Sequence, residues 1–245
     1  MRNIKLILEY DGAGFYGFQK QPDHPTVQAA LEEALTQCFN RKIKISAASG
    51  RTDAGVHALH QVVNFKTSNP RPLEQIQRGL NAFLPRTIAV KAIEEAKENF
   101  HARFGARFKT YEYLVWNHPI RSPLLAGRSF HVPGKLNLQA MRRGAARLKG
   151  RHDFRSFCVT SSVRENTVRT LKRFEIKKEG ALLRFRLKAD GFLHYMVRNL
   201  VGTLLEMGRG KLDLKNFQEI LAAKDRRRAG ATAPAHGLVL LNVTY

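Results

Sequence analysis

Residues 49–58 read SGRTDAGVHA and set Arg51, Thr52 and Asp53 in a row between Gly50 and Gly55. An apolar-alternating run, residues 43–48, precedes them. Another run, residues 61–66, follows, with Val62, Val63 and Phe65 as strand-like side chains. The pattern predicts two strands joined by a glycine-framed loop that carries the carboxylate of Asp53. Gly and Asp are ordinary turn residues, so residue types alone favour a plain turn. Loops held by a rigid scaffold are nonetheless where catalytic groups are placed.

The surrounding chain narrows the partner. Its 245 residues carry 42 Lys and Arg against 20 Asp and Glu, a formal net charge of +22, on a composition that is globular rather than disordered. The excess is uneven: 14 basic against 10 acidic residues over 1–105, and 28 against 10 over 106–245. That skew points to a polyanion, and to nucleic acid in particular, on the second half. No long apolar run or signal-like N-terminus supports a membrane role. Cys38 and Cys158 stand singly in apolar surroundings and read as core thiols of a reducing, cytoplasmic compartment. The nine His residues form no zinc-ligand spacing with Cys or with one another, so no metal is expected.

In the first half, residues 3–10 alternate as a strand and Asp11-Gly12 closes it. Gly12, Gly14 and Gly17 have the spacing of a dinucleotide-binding glycine loop. The next helix, however, waits until Thr26, beyond Pro22 and Pro25, which argues against that use. Thr26 reads as an N-cap, followed by a buried stripe of Val27, Leu31, Ala34, Leu35, Cys38 and Phe39. A second helix opens at Pro72 with Ile76, Leu80 and Phe83 facing inward, and residues 87–93 form a closing strand.

Residues 95–108 connect to the second half, with a domain boundary near Gly105. A strand at 109–116 puts Tyr111, Tyr113 and Val115 on one side and Thr110, Glu112 and Leu114 on the other. Asn137 starts a helix bearing Arg142, Arg143, Arg147 and Lys149. HDFRSF at 152–157 leads into a polar loop ending at Asn166. Residues 170–177 and 182–189 form a hairpin turning at Glu179-Gly180. Helices follow at 192–209 and 214–223, then a basic run at 224–228 and a last strand at 238–245. Each half orders its elements as strand, helix, strands, helix, strand. The expected fold is α+β: two similar mixed-sheet subdomains, 1–105 and 106–245, side by side, with helices on one face and a cleft between them.

Five stretches carry a family resemblance. GRTDAGVHA, FHARF at 100–104 with KTYEY at 109–113, HDFRSF, GFLHYMVRNLVG at 191–202 and AGATAPAHGLVL at 229–240 occur in the order found in the tRNA pseudouridine synthase A family, and the chain resembles that family over nearly its whole length. The resemblance implies the pseudouridine synthase fold, and isomerisation of uridine to pseudouridine in the anticodon stem-loop of tRNA, at tRNA positions 38–40. It also implies a homodimer that needs neither cofactor nor metal. Asp53 would be the catalytic carboxylate, able to hold a covalent intermediate while the glycosidic bond is broken and remade. Three routes stay open: attack on the base, attack on the ribose, or stabilisation of a glycal path. Arg198 matches the family's salt-bridge arginine, which would keep the carboxylate ionised. Tyr111 matches the tyrosine stacked on the target base, and Arg51 the residue that holds the flipped state. Met196 and Leu238 match positions lining the uracil pocket. His60 and Lys109 depart from the usual residues at their positions without removing a catalytic group. The alternatives are a synthase with another RNA target, or a basic RNA-binding protein without catalysis. A metal-dependent nuclease is disfavoured because no carboxylate cluster is visible.

Overall fold

Ile4, Leu6, Leu8 and Tyr10 alternate with partly exposed neighbours, and their burial makes β1 (Arg2–Tyr10) the centre of the first sheet in the computed structural model, which describes residues 1–159 and 166–245. The chain divides into two compact units, Met1–Arg107 with Leu240–Tyr245, and Phe108–Val239.

In the first unit, β1 is followed by α1 (Val27–Phe39), β2 (Ala47–Ala48), β3 (His57–Thr67), α2 (Leu73–Phe83) and β4 (Ile88–Ala96). β1 lies antiparallel between β3 and β4, and β10 (Leu238–Thr244) lies beside β3. Thr26 caps α1 by accepting the Ala29 N–H at 3.3 Å, and the whole expected stripe is buried. The β1–β3 register slips between Leu8 and Tyr10, where two steps along β1 face three along β3, so β3 bulges just after the loop of Asp53.

Two expectations need correction here. The strand foreseen over residues 43–48 is only the two-residue β2. The Ile45 N–H is taken by the Glu32 carboxylate at 3.3 Å, so a side chain of α1 replaces a neighbouring strand. Phe83, expected to face inward, is 49% exposed at the last position of α2. Leu84, one helical step beyond, folds back and fills the place four residues after Leu80.

The second unit contains β5 (Phe108–Trp116), β6 (Phe130–His131), α3 (Leu138–Arg147), β7 (Gly150–Asp153), β8 (Val168–Glu179), β9 (Leu182–Ala189), α4 (Met196–Gly208) and α5 (Leu214–Ala223). Its sheet runs β5-β9-β8-β7, with β6 parallel beside β5. Tyr111, Tyr113 and Val115 of β5 and Leu183, Phe185 and Leu187 of β9 are buried on one face. On the other face Glu112 is held by Arg184 at 2.9 Å and Arg186 at 2.7 Å.

The β8–β9 hairpin closes on the pair Glu179 and Leu182, so its turn is Gly180-Ala181, one residue later than expected, with Gly180 at φ +58°. α4 starts at Met196 instead of residue 192, because Tyr195 adopts a left-handed backbone (φ 63°) that no α-helix can contain. The polar loop expected before Asn166 falls on residues 160–165, outside the described residues.

Candidate active site

Residues 49–56 run from the end of β2 to the start of β3, and a network of short bonds fixes their path. The Val56 N–H donates to the Asp53 carbonyl at 3.1 Å, closing a tight turn in which Gly55 takes φ +76°. Beneath the turn, the Ser49 hydroxyl donates to Gln61 Oε1 at 2.5 Å, and Gln61 Nε2 donates to the Gly50 carbonyl at 2.7 Å. The Tyr10 hydroxyl and Thr52 Oγ1 share a buried hydrogen bond of 2.7 Å. Burial pushes the Tyr10 phenol well above the usual tyrosine range.

The other wall of the loop is the glycine run at 12–17. The Phe18 N–H donates to the Thr52 carbonyl at 3.1 Å, and the Gly55 N–H to the Phe15 carbonyl at 3.2 Å. Gly12 and Gly17 exist for this contact. A Cβ on Gly12 would lie 2.0 Å from the Val56 carbonyl oxygen, and one on Gly17 2.6 Å from that of Thr52. Gly17 also needs its φ of +90°. These glycines act as a bracket for the Asp53 loop, a role the dinucleotide-loop spacing did not suggest. The signal that could have found them is two glycines five residues apart with an aromatic run between them. The bracket leaves Asp53 half-buried and Arg51 exposed on one loop.

In the second unit, Met196 and Arg198 occupy the first turn of α4. Arg198 Nε donates to the Ala233 carbonyl at 2.8 Å, and the Ala233 N–H returns a bond to the Arg198 carbonyl at 3.2 Å. Its guanidinium carbon lies 4.4 Å from the centroid of the Tyr195 ring. Arg198 is therefore anchored along its length. The segment that anchors it is held in turn by β5, where the Tyr113 hydroxyl donates to the Pro234 carbonyl at 2.7 Å. Burial raises the Tyr113 phenol, and the charge of Arg198 opposes that rise.

Two residues before Tyr113 on the same strand, Tyr111 is 7% exposed and meets Phe192 edge-on at 5.0 Å and 82°. Met196 is fully buried, and Leu238 is 5% exposed. Outside these contacts, His60 is half-buried on β3, and burial, followed by the charge of Lys5, lowers its pKa.

A second network, not visible in the sequence, fixes residues 226–233. Asn199, fully buried on α4, donates to the Phe157 carbonyl at 2.9 Å. Its Oδ1 accepts from Thr232 Oγ1 at 2.7 Å and from Arg226 at 3.1 Å. Arg226 also donates to Thr232 Oγ1 at 3.0 Å and to the Ala229 carbonyl at 3.2 Å. Arg226 belongs to the basic run at 224–228, but its guanidinium is turned inward, and burial lowers its pKa. Arg227 pairs with Asp225 at 2.9 Å. Arg143 and Arg147 of α3, with Lys149 just beyond it, are exposed.

Among the described residues, no group of three or more His, Cys, Asp or Glu side chains is gathered as a metal ion would require. Nor is any helix among them long and apolar enough to cross a membrane.

Comparison with known proteins gives concordant matches. A family model described as tRNA pseudouridine synthase matches residues 6–105 and 145–245. The chain is 42% identical over 245 residues to tRNA pseudouridine synthase A of Acetivibrio thermocellus, covering 100% of both chains. It is 46% identical over 245 residues to the protein of the same name from an Exiguobacterium species, covering 98% of that protein. Against the Chromobacterium violaceum protein, also called tRNA pseudouridine synthase A, identity is 47% over 242 residues and coverage 92%.

Proposed function

The chain belongs to the tRNA pseudouridine synthase family and has its α+β fold, and from that premise we propose that it isomerises uridine to pseudouridine in the anticodon stem-loop of tRNA, at tRNA positions 38–40. The observation that carries the proposal is the GRTDAGVHA loop, held by backbone bonds on both sides with Asp53 at its turn. In the reaction the bond from ribose C1′ to uracil N1 breaks, a bond from C1′ to C5 forms, the proton on C5 leaves, and N1 takes up a proton, so that atoms balance. Asp53 is the carboxylate that stabilises the separated fragments, by a covalent bond or by charge. Arg198 is the cation that keeps a carboxylate ionised and aimed. The bond from its Nε to the Ala233 carbonyl supports a positioning role, since a held guanidinium loses little freedom when it pairs.

Tyr111 stacks on the extruded uracil and takes part in moving the C5 proton, and Arg51 holds the flipped nucleotide. Met196 and Leu238 supply apolar walls for the base. The active form is a homodimer in the cytoplasm, and the reaction uses no cofactor or metal. Buried Cys38 and Cys158 thiols suit a reducing compartment.

The test is release of tritium from C5 of uracil in tRNA without added metal. The wild type should release it and Asp53→Asn should not, while Asp53→Asn binds the same tRNA with affinity within a few-fold of wild type. Parallel loss of binding and turnover in Asp53→Asn would remove the catalytic assignment. Tight binding by the wild type with no release from any tRNA would favour an RNA-binding role.

A further inference from the structure

Beside the Asp53 loop the structure carries a second feature that the reaction has not used. Tyr16 is 53% exposed, and its ring lies parallel to that of exposed His24, with centroids 4.1 Å apart and planes at 11°. The pair is built rather than incidental. The Tyr16 N–H donates to the Pro25 carbonyl at 2.8 Å, and Gln21 Nε2 donates to the Tyr16 carbonyl at 2.9 Å. Gln21 and His24 form an antiparallel bridge across Pro22-Asp23, with Asp23 in the left-handed region at φ 58°. Both chain neighbours of Tyr16 hold the catalytic loop: Phe15 accepts the Gly55 N–H, and Gly17 packs on the backbone of Thr52, Asp53 and Ala54.

We infer that the Tyr16–His24 stack is a platform for the base of the nucleotide next to the flipped uridine. The inference rests on the synthase reading above. Extruding one base leaves its neighbours without a stacking partner, and an aromatic face replaces that partner for any base. A platform already stacked and pinned pays little ordering entropy on binding. Exposed Arg51, on the adjoining loop, supplies a cation for the phosphate between the two nucleotides. The platform therefore reads position rather than sequence, and it should tolerate all four bases.

The test uses the full-length protein and an anticodon stem-loop RNA tritiated at C5 of the target uracil. Tyr16→Ala should lower kcat/KM roughly 5- to 100-fold, chiefly through KM. Tyr16→Phe, which keeps the ring, should stay near wild type, and His24→Ala should fall between them. A direct readout comes from 2-aminopurine placed at either nucleotide flanking the target. Its fluorescence should be quenched on Asp53→Asn protein and recover when Tyr16→Ala is added to that protein. Wild-type kinetics in Tyr16→Ala, equal losses in Tyr16→Ala and Tyr16→Phe, or unchanged fluorescence at both flanking positions would overturn the platform and leave the synthase reading standing. No tritium release by the wild type would overturn both.

Discussion

A methyl group on Gly17 would press on the Thr52 carbonyl from 2.6 Å, and the backbone there has φ +90°, where an L side chain is strained by about 1–2 kcal/mol. Relief requires moving the loop that carries Asp53, and a shift of about 1 Å at a reacting group costs on the order of 100-fold in rate. Gly17→Ala should therefore lower kcat roughly 10- to 100-fold with a modest fall in thermal midpoint. Gly14→Ala, where a Cβ meets nothing within 4 Å, should leave both near wild type, and steady-state tritium release with thermal melts separates the two. The Asp53 loop was legible because its residue string is local. Its bracket was not, since Gly12 and Gly17 act on carbonyls some 35 to 45 positions later in the chain. The spacing of glycines reports backbone freedom without reporting what comes close.

Helices α1, α3 and α5 could be read to within about a residue at their starts because their caps are local side-chain bonds, from Thr26, Asn137 and Asp213. The start of α4 depended on Tyr195, whose left-handed backbone no local signal announces. The same helix carries Asn199, whose partners Phe157, Arg226 and Thr232 are distant in sequence, so its role was equally hidden. Removing that amide would leave a carbonyl, a hydroxyl and a guanidinium short of partners in the interior. Asn199→Ala should cost about 2–4 kcal/mol, read as a lower urea midpoint with the slope unchanged. Because residues 229–233 also anchor Arg198, its catalytic defect should exceed what the lost stability explains.

For the molecule as a whole, charge and buried phenols set the response to solution conditions. Binding of tRNA by a chain of net charge +22 should weaken at least about ten-fold between 50 and 200 mM salt, and a filter-binding titration measures the slope. Tyr10, Tyr113 and Tyr245 are held neutral by burial, with pKa values raised above the ordinary tyrosine value of about 10. The unfolded chain loses those protons first, so the stability they contribute is complete below about pH 10 and declines as pH rises beyond it. Urea midpoints should drop between pH 9 and pH 11, by less in Tyr245→Phe. The return of residues Leu240–Tyr245 to the first unit, with the Tyr245 hydroxyl on the Ala102 carbonyl at 2.8 Å, bears on how the protein is born. The ribosome delivers the first unit early and its last strand only after all of Phe108–Val239 has been translated, a delay on the order of ten seconds. Throughout that interval the stretch of β3 that β10 will cover awaits its partner, so the sheet of the first unit is completed only after the whole second unit has been made.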